Sequence, residues 1–256
     1  MIRTLYHGSP KIVRTPAFRT GSSGNDFGIG FYCTDSFDIA SEWAAGRTSS
    51  GAGPADQVTG LSADGFVNIY KLNDSGLRIL DLGSPQYCIL HWLGVLLSYR
   101  EFDTLTPRAY QARDYLRTAF GVDHQNYDCI VGWRADNVHF AFAQFFLNGM
   151  ISYEQLRDAV RLSGLGRQIV IKSNRAFDRL LFNGYEIVRR RDLYPVRVAR
   201  EQRALAGMAD IVRSPGEDIL HHAPYRADDA GNSKRGGLYI FQMMEENVRD
   251  YDPRLI

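Results

Sequence analysis

Seven short runs of β-branched and aromatic residues, none longer than seven residues and interleaved with helical stretches, constrain this chain more than any other feature. Arg3–His7 ends at Gly8-Ser9-Pro10 and reads as a strand entering a loop. Gly30–Thr34, Phe66–Leu72, Leu77–Leu82, Tyr127–Trp133, Gln168–Lys172 and Tyr185–Arg189 read the same way. Asn73-Asp74-Ser75-Gly76 between two of them is a hairpin turn signal. With helical stretches between such strands, the expected class is α+β.

The helices have their own signals. Ser36 caps a stretch running to about Ala45 with Gly46 as its stop, and Ile39, Ala40, Trp43 and Ala44 share one face. Pro85–Arg100, Pro107–Phe120 and the Phe/Ala-dense Asn137–Gly149 also read as helical. Ser152 with Gln155 forms a capping box opening a helix to about Leu162. Residues 8–30 and 48–64 are rich in Gly and Ser and read as loops.

Composition changes after residue 190. Pro195–Val212 is Arg- and Ala-rich and helical in pattern, Ser214–Gly237 is a polar linker, and Leu238–Val248 is a short apolar helix. The expected division is a domain at 1–190 and a helical C-terminal extension at 191–256. The extension either packs on the core or docks a partner.

The chain of 256 residues is 45% hydrophobic and 23% charged, enough for one large core. Lys plus Arg is 30 against 29 for Asp plus Glu, so no global charge draws it to nucleic acid or to an anionic membrane. Cys33, Cys88 and Cys129 are odd in number and widely spaced; they read as reduced thiols, with no disulfide framework and no metal site. No Sec-type signal is visible, and the apolar stretch Tyr87–Leu97, broken by His91 and Gly94, is too short to span a bilayer. The expectation is a cytoplasmic protein without membrane contact, or one delivered by a specialised secretion system.

Three distant segments carry the chemistry: Leu5-Tyr6-His7-Gly8-Ser9, Asp26-Phe27-Gly28-Ile29-Gly30-Phe31-Tyr32-Cys33-Thr34 and Gln168-Ile169-Val170-Ile171-Lys172. Gly28-x-Gly30 is not a dinucleotide fingerprint, because it lacks the third glycine and precedes a strand. In this order the segments resemble the ADP-ribosyltransferase superfamily, in the branch shared by diphtheria-type toxins and poly-ADP-ribose polymerases. A closer resemblance is to the bacterial domain of unknown function 3990 family, carried by His7–Ser9, Asp26–Tyr32, Ala40–Ala44, Tyr127–Gly132 and Gln168-Ile169.

The resemblance implies a split β-sandwich with flanking helices, NAD⁺ as substrate and no metal. It implies that His7 bonds a ribose hydroxyl and that Gly8 offers its main-chain N–H and C=O to the nicotinamide carboxamide. Ser9, Asp26, Gly28, Gly30 and Phe31 would line the site. Tyr32 would stack on nicotinamide, and Trp43 would either close that sandwich or serve as a plain core residue. Gln168 stands where many relatives carry Glu; with His7 and Tyr32 it completes the implied catalytic set. A carboxylate can bond the ribose 2′-hydroxyl and oppose the positive charge that develops on the sugar, whereas an amide only bonds. Asp26 and Asp136 are either the acid that supplies the charge or turn and cap residues.

The activity implied is mono-ADP-ribosyl transfer to a protein or nucleic-acid acceptor, as in bacterial toxins and effectors, with a neutralising or regulatory protein as a further partner. NAD⁺ glycohydrolysis and a silent NAD⁺- or ADP-ribose-binding module are the alternatives. Arg189–Arg191 with Arg197, Arg200 and Arg203 is either a solvated helix face or a contact for an acidic acceptor. His221-His222 reads as surface loop.

Overall fold

A computed structural model describes residues 1–18, 21–46, 64–102, 105–135, 137–162, 166–189, 191–193, 195–196, 198–200, 202–203, 206 and 237–255. Its architecture is mixed α+β, built on two sheets. The first has the order β1 (Ile2–Ser9), β3 (Gly65–Asn73), β7 (Leu180–Val188), all antiparallel. The second has the order β2 (Phe31–Cys33), β6 (Arg167–Ile171), β5 (Cys129–Trp133), β4 (Ile79–Asp81), with only the β4–β5 pair parallel. One bridge joins the sheets: Tyr6 N–H donates to Thr34 O at 2.8 Å and Thr34 N–H donates back to Tyr6 O at 2.9 Å.

Side-chain alternation along the strands divides the apolar residues into layers. Leu5, Tyr70, Leu72 and Leu180 of the first sheet meet Phe31, Cys33, Cys129, Val131, Ile169 and Ile171 of the second. The other face of the second sheet, with Ile130 and Val170, lies on the largest core. That core is built from α2 (Ile89–Leu96), α3 (Pro107–Ala119), α4 (Asn137–Leu147) and α5 (Tyr153–Leu162). On the outer face of the first sheet, α1 (Phe37–Gly46) buries Ala40 and Ala44 against Val67 and Val188.

Local chemistry sets the helix ends. Thr106 accepts from Ala109 N–H at 3.2 Å ahead of Pro107, which as first helical residue has no N–H to leave unpaired. The expected capping box is present: Ser152 N–H donates to Gln155 Oε1 at 2.8 Å and Gln155 N–H donates to Ser152 Oγ at 3.3 Å. The short helix α6 (Asn174–Phe177) follows β6, capped by Ser173.

Two expectations need correction. Phe66–Leu72 and Leu77–Leu82 do form strands, but not a hairpin: β3 lies in the first sheet and β4 in the second. Leu80 and Leu82 belong to the helical core, and that burial outweighs the local turn signal between the strands. Gly8 and Ser9 are not loop; β1 runs through them because Gly8 and Ser9 pair with Val67 and Phe66.

The chain end is built into the core. Leu238, Val248 and Leu255, with Ile240, Phe241 and Met243 of α7 (Ile240–Glu245), are buried with α3 and α5. The Tyr115 hydroxyl donates to Met243 O at 3.1 Å and to Val248 O, and the Tyr153 hydroxyl donates to Leu255 O at 2.7 Å. Of the basic run, Arg200 pairs with the buried Glu42 of α1, while Arg191 lies exposed beside Asp192. Arg190, Arg197, His221 and His222 lie outside the described residues, as does Asp136. Among the described residues no helix is long and apolar enough to cross a membrane.

Candidate active site

β1 ends at the junction between the two sheets, and its alternation gives each residue of the first segment a different neighbour. His7, like Leu5, turns inward: its ring packs on Phe31 with centroids 4.5 Å apart and it is 8% exposed. Its Nδ1 is 2.7 Å from the Tyr32 carbonyl oxygen. A carbonyl only accepts, so Nδ1 carries the proton and donates. Ser9 is also buried, and its Oγ accepts from Lys11 N–H at 3.3 Å.

Gly8 faces the other way, onto α1. A Cβ there would overlap Ala40 O and lie 2.6 Å from Ala44 N and 2.8 Å from Trp43 Cβ. The main chain of Gly8 is equally specific. Tyr6 turns its N–H and C=O away from β3, toward Thr34. Backbone groups on a strand alternate with a period of two, so Gly8 turns its own pair to that same side. Among the described residues nothing bonds them, so an amide donor and acceptor stand at the strand edge of a residue whose α-carbon packs on Trp43.

The second segment folds around the Tyr32 hydroxyl, which donates to Gly28 O at 2.7 Å and accepts from Phe27 N–H at 3.0 Å. Gly28 has φ +71°, a left-handed conformation, and a Cβ on it would overlap Cε1 of the Tyr99 ring and lie 2.7 Å from its Cδ1. Gly30 lies close on β6, its Cβ position 3.0 Å from Ile171 O. Burial, foremost, pushes the Tyr32 phenol well above its ordinary pKa, with the Asp26 and Tyr99 charges adding to the shift. It therefore stays neutral.

Asp26 and Gln168 meet behind this loop. Gln168 is 3% exposed on β6, on the face opposite Ile169. Its Nε2 donates to Asp26 Oδ2 at 2.8 Å and to Trp133 O at 3.3 Å. The same Asp26 oxygen accepts from Ala135 N–H at 2.9 Å, and Oδ1 lies 3.3 Å from Arg100 Nη1. Burial, the largest influence, raises the Asp26 pKa; the bonds from Ala135 and Gln168 and the charges of Arg100 and Arg134 oppose it.

Trp43 is tied to this group by Arg134, whose guanidinium carbon is 5.3 Å from the indole ring. Among the described residues the buried Trp43 Nε1 has no hydrogen-bond partner. Sequence reasoning passed over Arg134, Arg100 and Asn68. Asn68 had a signal, an amide inside an otherwise apolar strand. It is fully buried, donates to His7 O at 3.3 Å and Lys11 O at 3.2 Å, and accepts from Val13 N–H at 2.7 Å. It thus holds the chain leaving β1. Arg100 and Arg134 had none, because only the fold brings them to Asp26.

The expected residues thus form one continuous group, though not one ring of side chains. Tyr32 and Gln168 share the helical face of the second sheet and meet through the Asp26 loop. His7 reaches Tyr32 from the opposite face of β2, through its main-chain carbonyl. A cavity of about 470 Å³ lies elsewhere, along α2 and α3, lined by Ser98, Asp114, Arg117 and His124 and by none of the motif residues.

The profile of a family described as Protein of unknown function (DUF3990) matches residues 3–182. The chain belongs to the DUF3990 family. No curated protein and no solved structure matches it. The DUF3990 match takes in His7, Gly8, Asp26, Tyr32, Trp43 and Gln168, and ends inside β7. Residues 237–255, which complete the helical core, lie beyond it.

Proposed function

We propose that this DUF3990 protein has an ADP-ribosyltransferase-like split β-sandwich, binds NAD⁺ where β1 and β2 meet, and transfers ADP-ribose to a macromolecular acceptor. The observation that carries the reading is the main-chain N–H and C=O of Gly8, which nothing bonds among the described residues, on a residue packed against Trp43 of α1. A carboxamide is self-complementary to such a pair: its oxygen accepts from the N–H and its NH₂ donates to the C=O. Trp43 already carries a cation on its ring, and the nicotinamide ring of NAD⁺ is itself cationic. His7 and Tyr32 frame the same strand edge.

In the reaction the bond between ribose C1′ and the nicotinamide nitrogen breaks, and its electron pair leaves on nicotinamide, which becomes neutral. A nucleophile of the acceptor forms the new bond at C1′ and loses its proton to solvent. A protein or nucleic-acid nucleophile gives a transferase of the toxin or effector type, with a neutralising protein as a natural partner. Water in that place gives a glycohydrolase. The neutral Gln168 favours a second reading, a binding module without turnover, because no carboxylate of its own opposes the charge on the sugar.

The test is incubation of the purified protein with NAD⁺ labelled on the adenylate and with cell lysate, followed by protease and nuclease digestion. The expected result is free nicotinamide and a labelled macromolecule, both lost in Tyr32→Ala and Trp43→Ala. Labelling that survives in both variants removes this site from consideration. Free ADP-ribose without adduct selects hydrolysis, and saturable binding without nicotinamide release selects the silent module.

A further inference from the structure

We infer that Asp26 is a positioning residue of this site: it locks the Gln168 amide so that Oε1 is the acceptor for a ligand hydroxyl, and it sets a buried negative charge one amide away. The inference rests on the reading of the site as an NAD⁺ pocket. Both groups facing Gln168 Nε2, the Asp26 carboxylate at 2.8 Å and the Trp133 carbonyl at 3.3 Å, are acceptors. An amide oxygen in that place would face two oxygens, so the NH₂ must point there and both of its protons are used. Oε1 is thereby turned away from Asp26, and among the described residues no donor reaches it.

The lock is itself held on several sides. Ala135 N–H donates to the same Asp26 oxygen at 2.9 Å, and Arg100 lies 3.3 Å from the other. A carboxylate bonded to the NH₂ end of an amide polarises it and strengthens its oxygen as an acceptor. Asp26 and Gln168 together then do what a single glutamate does: the amide takes the hydroxyl and the carboxylate opposes the charge on the ribose. The arrangement also predicts the outcome of Gln168→Glu. A carboxylate there would stand against Asp26 Oδ2, where two like charges do not both ionise, so the exchange lowers nicotinamide release rather than raising it.

Asp26→Asn removes the charge, and with it the hydrogen bond from Arg100 to Oδ1, but keeps the contact to Gln168. The bonds from Ala135 and Gln168 land on one oxygen, which an asparagine retains. The expected result is kcat for nicotinamide release lower by about tenfold to a hundredfold, with KM within about threefold, the pattern of a lost contact to developing charge. Asp26→Ala releases the amide. Wild type is expected to bind NAD⁺ about tenfold more tightly than the analogue lacking the 2′-hydroxyl on the nicotinamide ribose, and Asp26→Ala to lose that preference. A ratio of affinities is unaffected by the fraction of protein that folds, so a merely structural Asp26 would leave it unchanged. Wild-type kcat in Asp26→Asn, or retained discrimination in Asp26→Ala, overturns the inference while the NAD⁺ reading stands. A wild type that neither binds nor cleaves NAD⁺ overturns both.

Discussion

Gly8 has room for no side chain, and this ties the motif to the fold as tightly as to any ligand. Its Cβ would overlap the Ala40 carbonyl of α1, so Gly8→Ala must part β1 from α1. The expected cost is about 1–3 kcal/mol, the range for overpacking, read as a lower melting temperature. Tyr32→Phe keeps the ring but leaves Phe27 N–H and Gly28 C=O without the hydroxyl. Where water does not replace it, the loss is about 1–3 kcal/mol of stability in chemical denaturation. Asp26 adds a pH dependence. Its folded pKa is raised from the ordinary 3.8, chiefly by burial, so the folded state holds this proton at pH values where the unfolded state has lost it. The contribution of Asp26 to stability therefore falls as pH rises from 3.8 through the raised value and is flat above it. The stability of wild type minus that of Asp26→Asn should decline across that window; a difference that grows with pH would contradict the assignment. Burial of this kind is invisible in a sequence, where Asp26 reads equally as a turn residue.

The strands carried most of what could be read in advance, and they did so where alternation and caps are local. Gln168–Lys172 and Ser152–Leu162 match β6 and α5 nearly residue for residue. The turn at 73–76 misled because a turn reports a reversal and not which sheet receives the next strand; the partner of β4 is β5, some fifty residues on. β7 begins at Leu180, earlier than Tyr185, because pairing with β3 extends a strand beyond its strongest β-formers. The tail contributes a testable element. Phe241 of α7 is 2% exposed and packs against Gly149, a contact a side chain at that glycine would fill. Phe241→Ala is expected to lower stability by about 3–5 kcal/mol. A loss below about 1 kcal/mol in denaturant titration would mean that α7 is not part of the core.

The second sheet lies between the two larger cores, and the motif residues gather where it meets the first sheet rather than in the cavity along α2 and α3. His7, Tyr32 and Gln168 were recognisable because their segments keep their order along the chain. The residues that hold them come from three separate places, Asn68, Arg100 and the run Trp133–Ala135 with Arg134, and carry no spacing that links them to the motifs. The balanced net charge of +1 leaves recognition of an acceptor to local surfaces such as the exposed Arg191. The most direct measurement of the central claim is a titration of isotope-labelled protein with NAD⁺, following main-chain and indole N–H resonances. Saturable shifts at the Gly8 amide and the Trp43 indole, ahead of any at Ser98 or His124, are the predicted result. Shifts confined to the α2–α3 cavity, or none at Gly8, would contradict it.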